Sequence, residues 1–189
     1  MYKTSTDKRF QKNKRDIQRA YIDLTMEKGF GKVTISDIAK RADINRMTFY
    51  AHYEAVEDIF TEFVDDMETY LTLKIQENPD MTLDEFLRLN EELMEKEIEF
   101  FRFCAKEDSC SAFRVAFRNT YQKLITISFD EKATYSEEEK LIEADLISVC
   151  IAYAWLDWLA GNYGDVSIDV VIKYLEKMLL NDNISLKLK

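Results

Sequence analysis

Polar side chains that could contact nucleic acid are concentrated in residues 34–53, between small and apolar residues. Thr34 is followed three residues later by Asp37, which is the spacing of a capping box at the start of a helix. Asn45 is a good N-cap for a second short helix, and Phe49 is its expected inward anchor. Two short helices joined by a tight turn predict a helix-turn-helix.

The side chains left on the outer face of this motif can contact bases and phosphates. Arg46 is the expected base-reading residue, because a bidentate arginine–guanine pair is the commonest specific contact. Thr48 suits a thymine methyl or a phosphate, whereas Tyr50 and His52 suit phosphate oxygens that fix the register. His52 is the single histidine of the chain and has no Cys or carboxylate at ligand spacing, so no metal site is expected.

The motif resembles the DNA-binding signature of the TetR/AcrR family of bacterial regulators. The pattern T-x-x-x-I-A-x-x-A-x-I-x-x-x-T-F-Y-x-H-Y begins at Thr34, a Gly-Phe break precedes it, and the resemblance covers roughly residues 9–60. Asp43 stands in the turn where the family usually has Gly, and Val56 stands where it usually has a phosphate-contacting Lys. The resemblance also points to Thr34 and Ser36, at the start of the first of these helices. The expected DNA-binding residues are then Thr34, Ser36, Asn45, Arg46, Met47, Thr48, Tyr50 and His52.

The charge of the chain divides close to this motif. Residues 1–53 hold 12 Lys and Arg against 6 Asp and Glu, whereas residues 54–189 hold 14 against 30. Such asymmetry indicates a nucleic-acid surface on the basic segment, although a merely solvated basic face would give the same count. We predict a helix-turn-helix DNA-binding domain over 1–53 and a ligand-binding and dimerisation domain over 54–189.

The composition predicts an all-α fold, a three-helix head followed by a helical bundle. Four glycines and one proline are too few for the turns of a strand-rich fold. No apolar run reaches the length of a membrane span, the start of the chain does not resemble a signal peptide, and the cysteines lack metal spacing, so a cytoplasmic location is expected. Helices are predicted at about 8–28, 35–42, 46–52, 55–75, 82–104, 110–128, 136–161 and 167–181, with a frayed start at 1–7 and a loop at 130–136.

Aromatic residues are concentrated in the middle of the second domain. Helical spacing of aromatics is typical of plain core, but pockets between the helices of a bundle are lined in the same way. The family resemblance implies an effector site among these helices. The candidate ligand-binding residues are Phe86, Phe100, Phe103, Phe113, Phe117 and Tyr121.

The segment 136–161 is apolar on nearly every side, which an exposed helix of a monomer cannot be. With the segment 167–181 from each of two subunits it would form a four-helix isologous interface, the dimer mode that the resemblance also favours. The segment could also be simply the central core helix. The candidate interface residues are Tyr153, Trp155, Trp158, Val171, Tyr174, Leu175 and Met178.

These patterns predict a regulator rather than an enzyme, because the sequence has no phosphate-binding glycine loop and no recognisable nucleophile motif. We expect a homodimeric repressor that binds a palindromic double-stranded DNA operator and is released by an unknown small-molecule effector, with no cofactor and no membrane partner. The alternative is a TetR-like activator, or a regulator that acts through a protein partner without a small-molecule effector.

Overall fold

The computed structural model describes residues 8–128 and 136–179, so the predicted frayed start and most of the predicted loop at 130–136 lie outside the described residues. All regular structure within these ranges is helical, as predicted. The α-helices are α1 Lys8–Lys28, α2 Ile35–Arg41, α3 Arg46–Tyr50, α4 Glu57–Glu77, α5 Leu83–Glu95, α6 Ile98–Lys106, α7 Ser111–Ser128, α8 Glu137–Ala160 and α9 Ile168–Leu179. A short 3-10 helix, Asp108–Cys110, precedes α7.

Local signals in the sequence account for most of these boundaries. Capping boxes at Thr82 and Ser136 begin α5 and α8, where each hydroxyl accepts a hydrogen bond from a backbone N–H three residues on. Gly161 ends α8 in the left-handed conformation, with φ 81°, which glycine adopts without steric cost. Within the described residues, no helix is both long and apolar enough to cross a membrane.

The chain divides into two compact units, Met1–Phe63 and Val64–Lys189. In the first, α1 packs on α2 and α2 on α3 around side chains that are almost fully buried. The division falls inside α4, further along the chain than the expected domain boundary at 53/54. The buried side chains of this core include Ile17, Tyr21, Leu24, Ile38 and Phe49.

The second unit is built around α8, which packs on α6, α7 and α9. Trp155 in the C-terminal half of α8 is fully buried. Deep burial on one side of α8 and exposure of Leu146 and Tyr153 on another explain why its sequence is apolar on nearly every side.

The predicted single helix 82–104 is wrong, because the chain leaves helical geometry at Glu97, with φ −133° and ψ 37°. The break separates α5, which packs on α9, from α6, which packs on α8 and buries Phe100, Phe101 and Cys104. The residues around Glu97 are good helix formers, so tertiary packing has overridden local propensity here.

Candidate nucleic-acid interface

The start of α2 is fixed by its own side chains. Thr34 Oγ1 accepts a hydrogen bond from Asp37 N at 3.2 Å, and Thr34 N donates to Asp37 Oδ2 at 3.0 Å, which completes the predicted capping box. Lys28 Nζ lies 2.6 Å from Asp37 Oδ1. The Lys28 ammonium, followed by the two donors of Thr34, lowers the pKa of Asp37 to about 2. Thr34, an expected DNA contact, is therefore already engaged in holding the helix start.

The turn between α2 and α3 contains Asp43 in the left-handed region, with φ 52°. Asp and Asn adopt this conformation more readily than other side chains, although at a cost that Gly does not have. Ile44 N donates to Ala39 O at 2.9 Å across the turn. The aspartate at the usual glycine position thus keeps the tight turn that the motif needs.

The short helix α3 is held from both ends. Asn45 Oδ1 accepts from Thr48 N at 2.7 Å and from Thr48 Oγ1 at 3.1 Å, so Asn45 is the N-cap that its type predicts. Phe49 is fully buried and contacts the rings of Tyr50 and Tyr53, with centroid separations of 5.8 and 5.9 Å. Asn45 and Thr48, both expected DNA contacts, therefore also stabilise the helix.

Three side chains at the outer face of α3 are exposed, and two of them, Arg46 and Tyr50, were expected to point outward. Met47 is 77% exposed and Tyr50 is 53% exposed, and Arg46 is exposed beside them. The guanidinium of Arg46 donates a hydrogen bond to Ser36 Oγ at the start of α2. The structure thus brings together the expected contacts of the two helices on one face.

The predicted outward position of His52 is wrong. Its ring is half-buried against Phe10 of α1, with the ring centroids 4.0 Å apart. Burial, and then the charge of Lys14, lower the pKa of His52, so the imidazole is neutral at pH 7. A neutral ring packed between helices has no charge to offer a phosphate, and it serves here as packing between α1 and the end of α3.

A polar network around Glu62 of α4 was not predicted from the sequence. Lys14 Nζ lies 2.7 Å from Glu62 Oε1, while Gln18 Nε2 and Tyr53 OH donate to Glu62 Oε2 at 3.1 and 2.5 Å. Burial raises the pKa of Glu62, but the hydrogen bonds from Lys14 and Tyr53 outweigh it and the net pKa is lowered. No local motif signals this network, because its members are far apart in the sequence.

The candidate ligand-binding aromatics of the second unit form a packed cluster. Phe86, Phe100, Phe113, Phe117 and Tyr121 are almost fully buried, and Phe103 is half-buried. Phe113 stacks on Phe117 with centroids 5.5 Å apart, and Phe117 meets Tyr121 edge-on at 5.0 Å. This geometry is that of plain core, the alternative that the spacing left open, and an effector site at these residues stays a prediction.

The candidate interface residues divide into two sets. Tyr153, Tyr174 and Met178 are each more than half exposed and line a groove of about 790 Å³ between α8 and α9. Trp155 is fully buried, so its predicted place on a partner-facing surface is wrong. Trp158 is half-buried, and Val171 and Leu175 lie at the buried floor of the groove.

The exposed outer face of a capped helix-turn-helix, joined to an all-helical second unit, defines a class of DNA-binding transcriptional regulator. Residues 19–63 match the family model of bacterial regulatory proteins of the tetR family. The segment 19–63 is therefore similar to the DNA-binding domain of that family. Members of this family are transcriptional regulators rather than enzymes.

Sequence similarity to a curated relative is limited to a short region. The chain is 34% identical over 59 residues to the uncharacterized HTH-type transcriptional regulator YxbF of Bacillus subtilis strain 168. The matched region covers 31% of this chain and 16% of that relative.

Solved structures extend the likeness to nearly the whole fold. A TetR transcriptional regulator from Streptococcus agalactiae superposes with a TM-score of 0.66 at 23% identity, covering 91% of this chain and 96% of that one. Thermus thermophilus FadR, a transcriptional repressor solved in complex with lauroyl-CoA, gives a TM-score of 0.60 at 17% identity, covering 90% and 95%. At these identities the likeness shows the fold alone.

Proposed function

We propose that this chain is a homodimeric cytoplasmic repressor that places α3 in the major groove of a palindromic operator. The observation that carries the proposal is the pairing of a fully buried Phe49 with the exposed Arg46, Met47 and Tyr50 on the same short helix. Direct readout of bases needs a helix that is held rigidly on its inner side and exposes contacting side chains on its outer side.

Each exposed side chain of α3 has a role that fits its chemistry. Arg46 reads a guanine through two hydrogen bonds, and Ser36, its present partner, takes a neighbouring phosphate. Met47 provides an apolar contact for a thymine methyl group. Tyr50 donates to a phosphate oxygen and fixes the register without reading sequence.

A palindromic site requires two copies of α3, and the groove between α8 and α9 is the surface we propose for their association. Tyr153, Tyr174 and Met178 expose a large apolar area there. Tyrosine and methionine are enriched at protein interfaces, and an exposed apolar patch of this kind marks an interaction site. Two such surfaces would bury each other around a two-fold axis.

Release from the operator is proposed to follow binding of a small molecule in the second unit. Thermus thermophilus FadR, which has the same fold, is a repressor that was solved with lauroyl-CoA bound. A ligand can shift the DNA-binding equilibrium only by binding one arrangement of the protein better than another. The alternative, control of an activator or of a repressor by a protein partner, predicts that no small molecule changes the affinity for DNA.

The test combines selection of DNA sites with measurement of mass. Rounds of selection from a random duplex library should enrich a palindrome, and light scattering of the complex should give two chains per duplex. A selected site without two-fold symmetry, or one chain per duplex, would contradict the dimeric repressor. Activation of transcription from the selected site in a purified system would favour the activator alternative.

A further inference from the structure

A second cavity lies within the second unit, and it shares no lining residue with the groove between α8 and α9. Its volume is about 410 Å³, which lies in the range of sites for small organic ligands. Met94 of α5, Ile98 of α6 and Ile168 of α9 supply apolar surface. The cavity therefore has room and surface for the hydrocarbon part of a ligand.

Two tryptophans of α8 complete the apolar wall. The rings of Trp155 and Trp158 meet edge-on, with centroids 6.0 Å apart, and Trp158 Nε1 donates to Val166 O at 3.0 Å, which fixes its ring. Trp155 Nε1 is buried and has no hydrogen-bond acceptor in the part of the chain that the structure describes. The ring of Trp158 is half-buried, and the face of an indole attracts cations.

The charged groups at the cavity leave an excess of negative charge. Glu91 and Glu95 line it, together with Arg102, whose Nη1 already pairs with Glu99 Oε1 at 2.9 Å. Burial, and then the charge of Asp169, raise the pKa of Glu91, so its carboxylate gains from a nearby cation. An anionic ligand would instead meet two carboxylates and an arginine that is already paired.

The positive charge closest in sequence to Glu91 is also engaged elsewhere. Arg88 Nε lies 3.0 Å from Asp84 Oδ2, and Arg88 Nη1 lies 3.0 Å from Asp169 Oδ1. Two carboxylates thus share this guanidinium, which leaves the cavity side of α5 acidic.

We propose that this cavity binds a small organic cation, with its ammonium group between Glu91, Glu95 and the ring of Trp158 and its apolar body against Met94 and Ile98. The inference rests on the proposed function, because the cation would be the effector that releases the repressor. It places the effector outside the packed aromatic cluster that the sequence indicated.

The chain offers a direct measurement, because it contains two tryptophans and both line this cavity. We would titrate the protein with 4-methoxyphenethylamine and, as a matched anion, with 3-(4-methoxyphenyl)propionate, and follow tryptophan fluorescence. The amine should change the emission saturably, and the carboxylate should bind at least about tenfold more weakly. Equal binding of both probes, or tighter binding of the carboxylate, would overturn the proposal.

Variants of α5 inside and outside the cavity lining distinguish the loss of charge in the cavity from a general effect on folding. The double variant Glu91→Gln, Glu95→Gln should weaken the amine about tenfold, because it removes both carboxylates from the cavity. Glu92→Gln, on the same helix but outside the lining, should leave binding unchanged. Equal effects of the two changes, with helix content unchanged by circular dichroism, would contradict the assignment.

Affinity for the selected operator, measured by fluorescence anisotropy with and without the amine, distinguishes the two proposals. DNA binding without any fluorescence response to the amine would overturn the cation site and leave the repressor intact. A fluorescence response with an unchanged affinity for DNA would keep the site and overturn its role as the effector site.

Discussion

Lys14 Nζ of α1 lies 2.7 Å from Glu62 Oε1 at the start of α4, and both side chains are about 30% exposed. Lys14 belongs to the basic segment 1–53, and this pairing withholds its charge from the DNA backbone. Gln18 and Tyr53 hold the second carboxylate oxygen, so Glu62 joins α1, α4 and the residues after α3. The network sets both the position of α4 in the first unit and the number of cations that this unit offers to phosphates.

Replacing Glu62 with Gln should keep an oxygen for Tyr53 while releasing Lys14. The slope of log K against log salt concentration, where K is the association constant for DNA, should then become more negative by about 0.9 for each added phosphate contact. Each subunit gains one such contact. The measurement is anisotropy on operator and random DNA over a range of salt concentrations. Glu68→Gln, which releases Lys123 in the second unit, is the control and should not change the slope. Identical slopes for Glu62→Gln and the native chain would show that Lys14 does not reach a phosphate.

The sequence predicted those parts of the site that depend on neighbours along the chain. The capping box at Thr34, the N-cap at Asn45 and the buried Phe49 each follow from residue type and local spacing, and all three are confirmed. Side chains whose surroundings come from distant helices were not predictable in this way. His52 was expected at the surface because its spacing along α3 points it outward, but Phe10 of α1 covers it.

The same distinction explains the second unit. The helical spacing of its apolar residues predicted the helices but not which side of α8 faces inward, since α8 is apolar on nearly every side. The break at Glu97 has no Gly or Pro to mark it, and only the packing of α5 and α6 on different partners accounts for it.

Substitutions at Asp43 test the left-handed turn. Asp43→Ala should destabilise the first unit by about 1 kcal/mol, because a left-handed conformation costs an ordinary L-residue about 1–2 kcal/mol and Asp part of that. Asp43→Gly should be neutral or slightly stabilising, since Gly adopts this conformation without the steric cost. Urea unfolding of the three proteins measures the difference. Equal destabilisation by Ala and Gly would show that the side chain of Asp43, rather than its backbone angle, matters.

Acid should weaken the start of α2 through Asp37. Its folded pKa of about 2 lies below the ordinary value of 3.8, so its stabilising contribution is complete above pH 3.8 and is lost as the pH falls toward 2. Asp37→Asn should remove this part of the pH dependence, and the difference between the two unfolding free energies should shrink as the pH falls through that window. Asp80→Asn, in the turn between α4 and α5, is the matched control. A difference that stays constant with pH would contradict the Lys28 and Thr34 contacts as the cause.

Arg46→Ala should cost roughly 1–3 kcal/mol of DNA-binding free energy per half-site and relax the base preference at one position. Tyr50→Phe should instead weaken binding to all sequences alike, because a phosphate contact carries no sequence information. Competition among single-base variants of the selected operator measures both effects. Arg88→Ala, in the second unit, controls for loss of a positive charge. Unchanged preference in Arg46→Ala would mean that another side chain reads the bases.

Replacing exposed aromatics of α8 and α9 should affect dimer formation, whereas replacing the buried Trp155 should affect the stability of the fold. Tyr153→Glu together with Tyr174→Glu places charges on the proposed interface, so the chain should become monomeric by light scattering while its helix content is kept. Trp155→Ala should instead destabilise the second unit by about 3–5 kcal/mol, because it leaves a cavity in the core. Chemical unfolding at several protein concentrations separates the two, since the stability of a dimer rises with concentration. A native chain that is monomeric at micromolar concentration, or a double Tyr variant that remains dimeric, would move the interface away from the groove between α8 and α9.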